Sequence, residues 1–393
     1  MIIKSLLDTD LYKLTMMQCV YHHFPNVEVE YTFKCRNEGV DIVKIAADLA
    51  EEIRHLGELG FSDEDIEYLE SLGFFQKDFL TFLKTFRLTP GQDGNLIYDL
   101  EKGTMELKFH GSWLRTILYE VPVLAMVNEL YYKDKLEDRD FQNYNISQAW
   151  LNFSEDLHRI PEDMPFADFG TRRRIFKKYQ RHILMEICDF KKSRPLSFVG
   201  TSNVMFAKQF GVKPIGTMAH EFICAGQGLF PLAESQKKML DIWSREYRGK
   251  LGIALSDTLG FDAFLRDFDL YFAKLYDGLR QDSGDPCKWA DKAIKHYEEL
   301  GIDPKTKSLV FSDSLNFMKA EEIFKKYSDK AKISFGIGTY LTNNVPGIKP
   351  LNVVMKMTCC NGQPVAKISD SPGKGMCKDE AYLEWLKKVF EIK

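Results

Sequence analysis

The sequence predicts an α/β chain: a closed or nearly closed barrel of parallel strands, joined to a discontinuous α+β domain made from both chain ends. Three observations predict it. The chain has 393 residues, more than one compact core usually holds. From Phe166 onward, short apolar runs end repeatedly in small and polar residues, and helix-like segments separate most of them. After Tyr340 the pattern returns to strand alternation around an Asn361-Gly362 turn, so the tail is expected to pack on the N-terminal part.

The elements follow in order. From Asp8 to Tyr21, apolar residues recur at helical spacing (Leu11, Leu14, Met17, Val20), with Asp8 or Thr9 as the expected cap. VEVEYTFKCRN alternates as a strand, and residues 41–87 carry helical patterns broken at Gly57, Gly60 and Gly73. NLIYDLEKGTMELKFHGSW reads as strand, turn and strand, and the next segment as a long buried helix interrupted at Pro122. Residues 141–160 and 172–190 read as further helices.

The strand-then-helix units come next: FADFGTRRR, SFVGTSN, PIGTMAHEF, LGIALSDT, YDGLRQDSGDP, SLVFSDS and ISFGIGT. Repeats of this kind imply parallel strands with right-handed crossovers. In a barrel the C-terminal strand ends face one site, whereas a doubly wound sheet would gather its loops at a crevice. LNVVMKMTCC, the Asn-Gly turn and PVAKISDSPGK complete the chain as a hairpin. The expected domains are 1–130 with 345–393, and 131–344 for the barrel.

Composition narrows the function classes. With 45% apolar and 28% charged residues, and no apolar run of membrane-spanning length, an integral membrane protein is excluded. The N-terminus lacks a secretory cleavage pattern, so a cytoplasmic location is expected. The eight cysteines are scattered without zinc-type spacing, which favours reduced thiols. A net charge of -4 gives no global attraction for nucleic acid.

The polar strand ends supply three kinds of group. Hydroxyl and backbone donors come from Gly200-Thr201-Ser202 and Gly336-Ile337-Gly338-Thr339, guanidinium groups from Arg172 to Arg174 and Arg280, and carboxylates from Asp257, Asp282, Asp285 and Asp313. Backbone N–H groups at glycines and bidentate arginines bind phosphate. Clustered aspartates then need Mg2+, ribose hydroxyls or the arginines to share their charge. Taken singly, the triple arginine reads as a solvated helix start and DSGD as a helix cap before Pro286. Their common position at successive strand ends points instead to a phosphorylated substrate. No Walker A pattern is present. His220, within GTMAHEF, stands at the same rim as the candidate reacting group.

The set DTDLYKLTM, FGTRR, GTSN, GTMAHEF, LRQDSGDP and FGIGT, in this order over almost the whole chain, resembles nicotinate phosphoribosyltransferases of the bacterial and yeast type. The resemblance implies an irregular (incomplete) TIM-like α/β barrel with a smaller discontinuous α+β domain. It implies transfer of the phosphoribosyl group of 5-phosphoribosyl 1-diphosphate to nicotinate, giving nicotinate mononucleotide and pyrophosphate. ATP hydrolysis is coupled through a phosphohistidine, with Mg2+, in a homodimer whose subunits share the active site.

Carried over, His220 is the phosphorylated histidine, with Glu221 or another carboxylate orienting its second nitrogen. Phe169 and, from a partner subunit, Tyr12 stack on the pyridine ring, and Arg280 pairs with its carboxylate. Arg36, Arg172, Lys356, Lys367 and Lys374 bind phosphates. Asp282, Asp285 and Asp313 hold ribose hydroxyls or, at Asp282 or Asp285, magnesium. Gly336, Gly338 and Thr339 cradle the 5-phosphate. Related nicotinamide enzymes resemble this chain but carry aspartate where Ser202 stands, so the acid is the expected substrate. The competing readings are nicotinamide or quinolinate transfer and a non-catalytic sugar-phosphate or nucleotide sensor; a Schiff-base lyase fits poorly with strand ends rich in arginine, serine and aspartate.

Overall fold

In a computed structural model that describes residues 1–138, 141–370, 377 and 379–392, two sheets share one contiguous apolar core. The first is antiparallel and draws on both chain ends. Its strands are β1 (Glu28–Cys35), β2 (Gly94–Asp99), β3 (Thr104–Ser112), β10 (Val353–Cys360) and β11 (Gln363–Pro364), in the order β11-β10-β1-β3-β2. The tail thus pairs with the N-terminal part, Thr32 opposite Lys356. Asn361 and Gly362 both take positive φ (47° and 76°), as a tight two-residue hairpin turn requires.

The second sheet is parallel: β4 (Phe166–Asp168), β5 (Phe198–Thr201), β6 (Ile253–Leu255), β7 (Gly278–Gln281), β8 (Ser308–Phe311) and β9 (Lys332–Ile337), in the order β5-β4-β9-β8-β7-β6. Its outer strands do not pair with each other; residues 213–217 run between them. Ile215 N donates to Thr201 O at 2.9 Å on one side, and Thr217 Oγ1 donates to Ile253 O at 2.8 Å on the other. An irregular segment therefore spans the gap. Gly200 permits the close approach: its φ is +149°, and a Cβ there would lie 1.9 Å from Lys213 O.

Helix α1 (Leu11–His23) is buried on every side from Leu11 to Val20, where its spacing suggested a single apolar face. Polar residues in it are satisfied internally: Thr15 donates to Thr217 O at 2.7 Å and Gln18 to Glu246 at 2.8 Å. The expected cap is corrected. Asp10 occupies the N-cap position, and Asp8 instead grips Arg174 with both oxygens, at 2.7 and 2.9 Å.

Pro122 does not interrupt a helix. It sits in the first turn of α2 (Glu120–Tyr131), where its missing N–H costs no hydrogen bond. The triple arginine forms no α-helix either: residues 171–173 make a 3-10 turn, and the helix begins at Lys177. No helix among the described residues is long and apolar enough to cross a membrane.

Candidate active site

His220 opens helix α3 (His220–Leu229) directly after the 213–217 segment, so the crossing between β5 and β6 delivers it to the strand ends. Its Nε2 lies 2.9 Å from Asp257 Oδ1 and 3.7 Å from Asp282 Oδ2. Lys367, from the C-terminal tail, brings Nζ to 2.8 Å from the same Nε2 and 2.7 Å from Asp257 Oδ2. The carboxylates are themselves fixed. Ser283 Oγ donates to Asp257, and Ser312 Oγ donates to Asp282 at 2.8 Å.

The charges set the protonation states. Burial and then the Lys367 ammonium lower the His220 pKa, against Asp257 and Asp282. Burial opposes ionisation of Asp257, but His220 and Lys367 outweigh it and hold the carboxyl well below the usual range. Asp282 is lowered likewise, with Arg280 and His220 outweighing its burial. His220, Asp257 and Asp282 each offer a ligand atom within 4.8 Å of the others, a spacing a divalent cation can use.

Glu221 is not the orienting carboxylate. It turns away from the His220 ring toward Lys13, whose Nζ lies 2.6 Å from Glu221 Oε2 and 2.5 Å from Glu120 Oε2. Burial disfavours the Lys13 ammonium, yet these two carboxylates raise its pKa. Adjacent residues on a helix point about 100° apart, so only one of His220 and Glu221 can face the strand ends.

A second polar group lies at the head of α1. Ser202 Oγ donates to Asp10 Oδ1 at 2.7 Å, both residues are buried, and Leu11 N donates to Ser202 O at 2.8 Å. Burial pushes the Asp10 carboxyl up to about 6, against the Ser202 hydrogen bond and Arg172. Tyr12 is nearly buried in its own chain, with Glu120, Asp10 and Arg172 among its charged neighbours. Arg172 Nη1 stands 3.6 Å from Glu120 Oε1.

Cations from the antiparallel sheet face this rim. Burial, then Lys367 and Arg36, lower Lys356 to about 8; burial and Arg172 lower Arg36. Burial, then Arg172 and Arg36, lower Arg173 to about 10. Cations that depress one another form a site for an anion with several charges. Among the described residues, Arg280 Nε and Arg173 Nε are buried without a hydrogen-bond partner.

Several expected residues stand elsewhere. Arg174 is fully buried on Asp8 and is unavailable to a ligand. Asp285 caps helix α4 (Pro286–Glu299) by accepting from Lys288 N at 2.9 Å, outside the His220 cluster. Asp313 follows β8, accepts from Ser314 Oγ at 3.0 Å and acts electrostatically on Arg173. Gly336 leaves room for Phe169: a Cβ there would come within 2.3 Å of the ring. Gly338 passes under the Phe169 carbonyl, and Thr339 opens a short helical turn, Thr339–Thr342. Lys374 lies outside the described residues. Sequence reasoning did not single out Asp10, and it grouped Asp257 with three other strand-end carboxylates without pairing it to His220.

Residues 164–393 match the profile of the nicotinate phosphoribosyltransferase (NAPRTase) family, and residues 7–128 match that family's N-terminal domain. A nicotinate phosphoribosyltransferase of Ralstonia nicotianae is 48% identical, with 100% of both chains covered. One from Acidovorax sp. strain JS42 is 47% identical, covering 100% of this chain and 99% of the relative. Among solved structures, the Vibrio cholerae nicotinate phosphoribosyltransferase superposes with a TM-score of 0.90 at 39% identity, covering 100% of this chain and 94% of that one. The Porphyromonas gingivalis enzyme gives 0.91 at 33%, with 100% of both chains covered.

Proposed function

The chain belongs to the nicotinate phosphoribosyltransferase family, and on that premise we propose that it joins nicotinate to phosphoribosyl pyrophosphate while ATP is hydrolysed through a phosphohistidine at His220. The observation that carries this reading is the contact of His220 Nε2 with Asp257 Oδ1 at 2.9 Å. A carboxylate there holds the ring proton on Nε2, leaving the lone pair on Nδ1. The neutral ring attacks the γ-phosphorus, the Nδ1–P bond forms, and ADP departs. Asp257 stabilises the cationic ring as phosphate is acquired.

Transfer of the ribosyl group places positive charge on the anomeric carbon as pyrophosphate leaves. Stabilisation then comes from charge placement, with Arg36, Lys356 and Lys367 on the leaving group. Asp282, ionised and with one oxygen directed to the His220 cluster, suits a hard cation; magnesium bound there would neutralise phosphate charge. Arg280 and Ser202 meet the nicotinate carboxylate, and Phe169 and, from a partner subunit, Tyr12 stack on its ring. The active unit in this reading is a homodimer, and full activity of a monomer at low concentration would overturn that part.

The test uses γ-labelled ATP. Acid-labile label on the wild-type protein, absent from His220→Ala, is expected, together with faster mononucleotide synthesis when ATP is present. Label retained in His220→Ala, or synthesis indifferent to ATP, would remove the phosphohistidine from the mechanism.

A further inference from the structure

We propose that Asp10 is the positioning residue that sets acid against amide specificity, because its proton decides whether the Ser202 hydroxyl donates to the substrate or accepts from it. This rests on the reading above, in which the nicotinate carboxylate lies at Ser202.

Asp10 holds the N-cap position of α1 with extended backbone, yet its side chain makes no capping bond to the helix. An aspartate at this position ordinarily accepts from a first-turn N–H. Here it is turned to Ser202 Oγ, 2.7 Å away, inside the protein. The placement is fixed from both sides: Leu11 N donates to Ser202 O, and Val204 N donates to Thr9 O at 3.0 Å. Among the described residues no cation forms an ion pair with Asp10. Arg174 is committed to Asp8, and Arg172 leans on Glu120.

A serine hydroxyl has one proton, and that fact makes the pair a selector. When Asp10 is ionised it can only accept, so the Ser202 proton points at it and the serine presents lone pairs to a ligand. Lone pairs repel a carboxylate and suit an amide NH2. When Asp10 is protonated, its O–H donates to Ser202, and the serine proton is free to donate to a substrate carboxylate. Nicotinate binding thus takes up one proton at Asp10, and nicotinamide binding takes up none. The serine alone does not exclude a carboxylate from this end of the site, because α1 supplies one.

The groups around Asp10 fit a carboxyl that titrates near neutrality. Arg172 and Arg174 favour its ionised form, while burial and Asp168 disfavour it; Thr171 hydrogen-bonds to it, and Tyr12 lies alongside on α1. The net is a pKa raised to about 6, above which the free site stands in its amide-accepting form.

The experiment measures kcat/KM for nicotinate from pH 5.5 to 8.5, at saturating phosphoribosyl pyrophosphate and ATP, for wild type, Asp10→Asn and Ser202→Ala. In the wild type kcat/KM is expected to fall about tenfold per pH unit above neutrality. The amide introduced by Asp10→Asn would donate its N–H to Ser202 at every pH, so that variant's profile loses the fall. Ser202→Ala removes the hydroxyl through which Asp10 acts, so that variant's profile loses the fall as well. An Asp10→Asn profile that still falls like the wild type overturns the proposal. Should Asp10→Asn not fold, a Ser202→Ala profile that still falls like the wild type overturns it equally. Wild-type protein that never converts nicotinate refutes the underlying reading instead, whereas conversion with a flat wild-type profile refutes only the role of Asp10.

Discussion

Asp257 and Lys367 meet at one histidine: Asp257 Oδ1 is 2.9 Å and Lys367 Nζ 2.8 Å from His220 Nε2, and 2.7 Å separates Lys367 Nζ from Asp257 Oδ2. A single nitrogen cannot donate to the carboxylate and accept from the ammonium at once. With the proton on Nε2 the Asp257 bond is made, and Lys367 is satisfied by Oδ2. Deprotonation of Nε2 would favour the lysine instead. The attack through Nδ1 proposed above requires the tautomer that Asp257 favours, with the proton on Nε2.

Asp257→Asn tests that dependence. The amide keeps the shape but presents no charge to a ring that would become cationic in the proposed phosphorylation. Loss of such a carboxylate partner costs about 100- to 10,000-fold in rate. Single-turnover label transfer from ATP to the protein measures it, and a rate within threefold of wild type would dismiss the role of Asp257.

Arg280 carries the second prediction. Its buried Nε lacks a hydrogen-bond partner, while Asp282 lies near enough to be lowered by its charge. A planar guanidinium grips a carboxylate with two parallel bonds, and lysine cannot reproduce that geometry. Arg280→Lys should raise KM for nicotinate about tenfold or more. An unchanged KM would assign this arginine to another ligand.

Much of this was legible in the sequence. Alternating strand and helix segments identify the parallel sheet, and the Asn361-Gly362 turn identifies the terminal hairpin, because both are local patterns. What local pattern cannot carry is which buried polar groups meet. Asp8 and Asp10 stand far along the chain from Arg174 and Ser202, and only the docking of α1 against the β5 end brings them together. The sequence offered Glu221 as the partner of His220 because it is adjacent, but helix geometry turns neighbours apart and delivers Asp257 from another strand. Gly336 illustrates a similar gap: a phosphate cradle and a seat for an aromatic ring both call for a missing side chain.

That seat is directly testable. In Gly336→Ala the new methyl would come within 2.3 Å of the Phe169 ring, and the backbone φ at this position is not positive. The strain therefore arises from the ring alone. We expect a higher KM for nicotinate with KM for phosphoribosyl pyrophosphate little changed. A rise confined to the sugar phosphate would assign Gly336 to the phosphate end instead.

Lys356 predicts a pH dependence at the opposite end of the site. Burial, Lys367 and Arg36 lower its pKa to about 8, from an ordinary 10.5. A bound pyrophosphate group favours the charged form, so binding takes up a proton wherever the free lysine has lost it. KM for phosphoribosyl pyrophosphate should rise as pH climbs above about 8, and Lys356→Gln should have a weaker baseline with that rise removed. The folding linkage follows from the same depression. The unfolded chain binds more protons than the folded one between about 8 and 10.5, so this lysine's penalty to stability is complete below that window and relieved above it.

The last prediction concerns what holds the head of α1 in place. Arg174 and Asp8 are both fully buried, joined at 2.7 and 2.9 Å, with Lys177 Nζ 3.0 Å and Asn203 Nδ2 2.8 Å from the same carboxylate. Burial opposes ionisation of Asp8, but Arg174 and then Lys177 outweigh it and hold its pKa far below the usual range. A depressed carboxyl contributes stability that is present above its unfolded pKa of about 3.9 and is lost as pH falls toward the folded value. Arg174→Met strands the carboxylate and should cost about 3–5 kcal/mol in urea unfolding at pH 7. Adding Asp8→Asn removes the stranded charge and should recover part of that loss. Acid unfolding below about pH 4 should also be less steep in Asp8→Asn than in the wild type. A double variant no more stable than Arg174→Met would mean that the pair contributes through packing and not through charge.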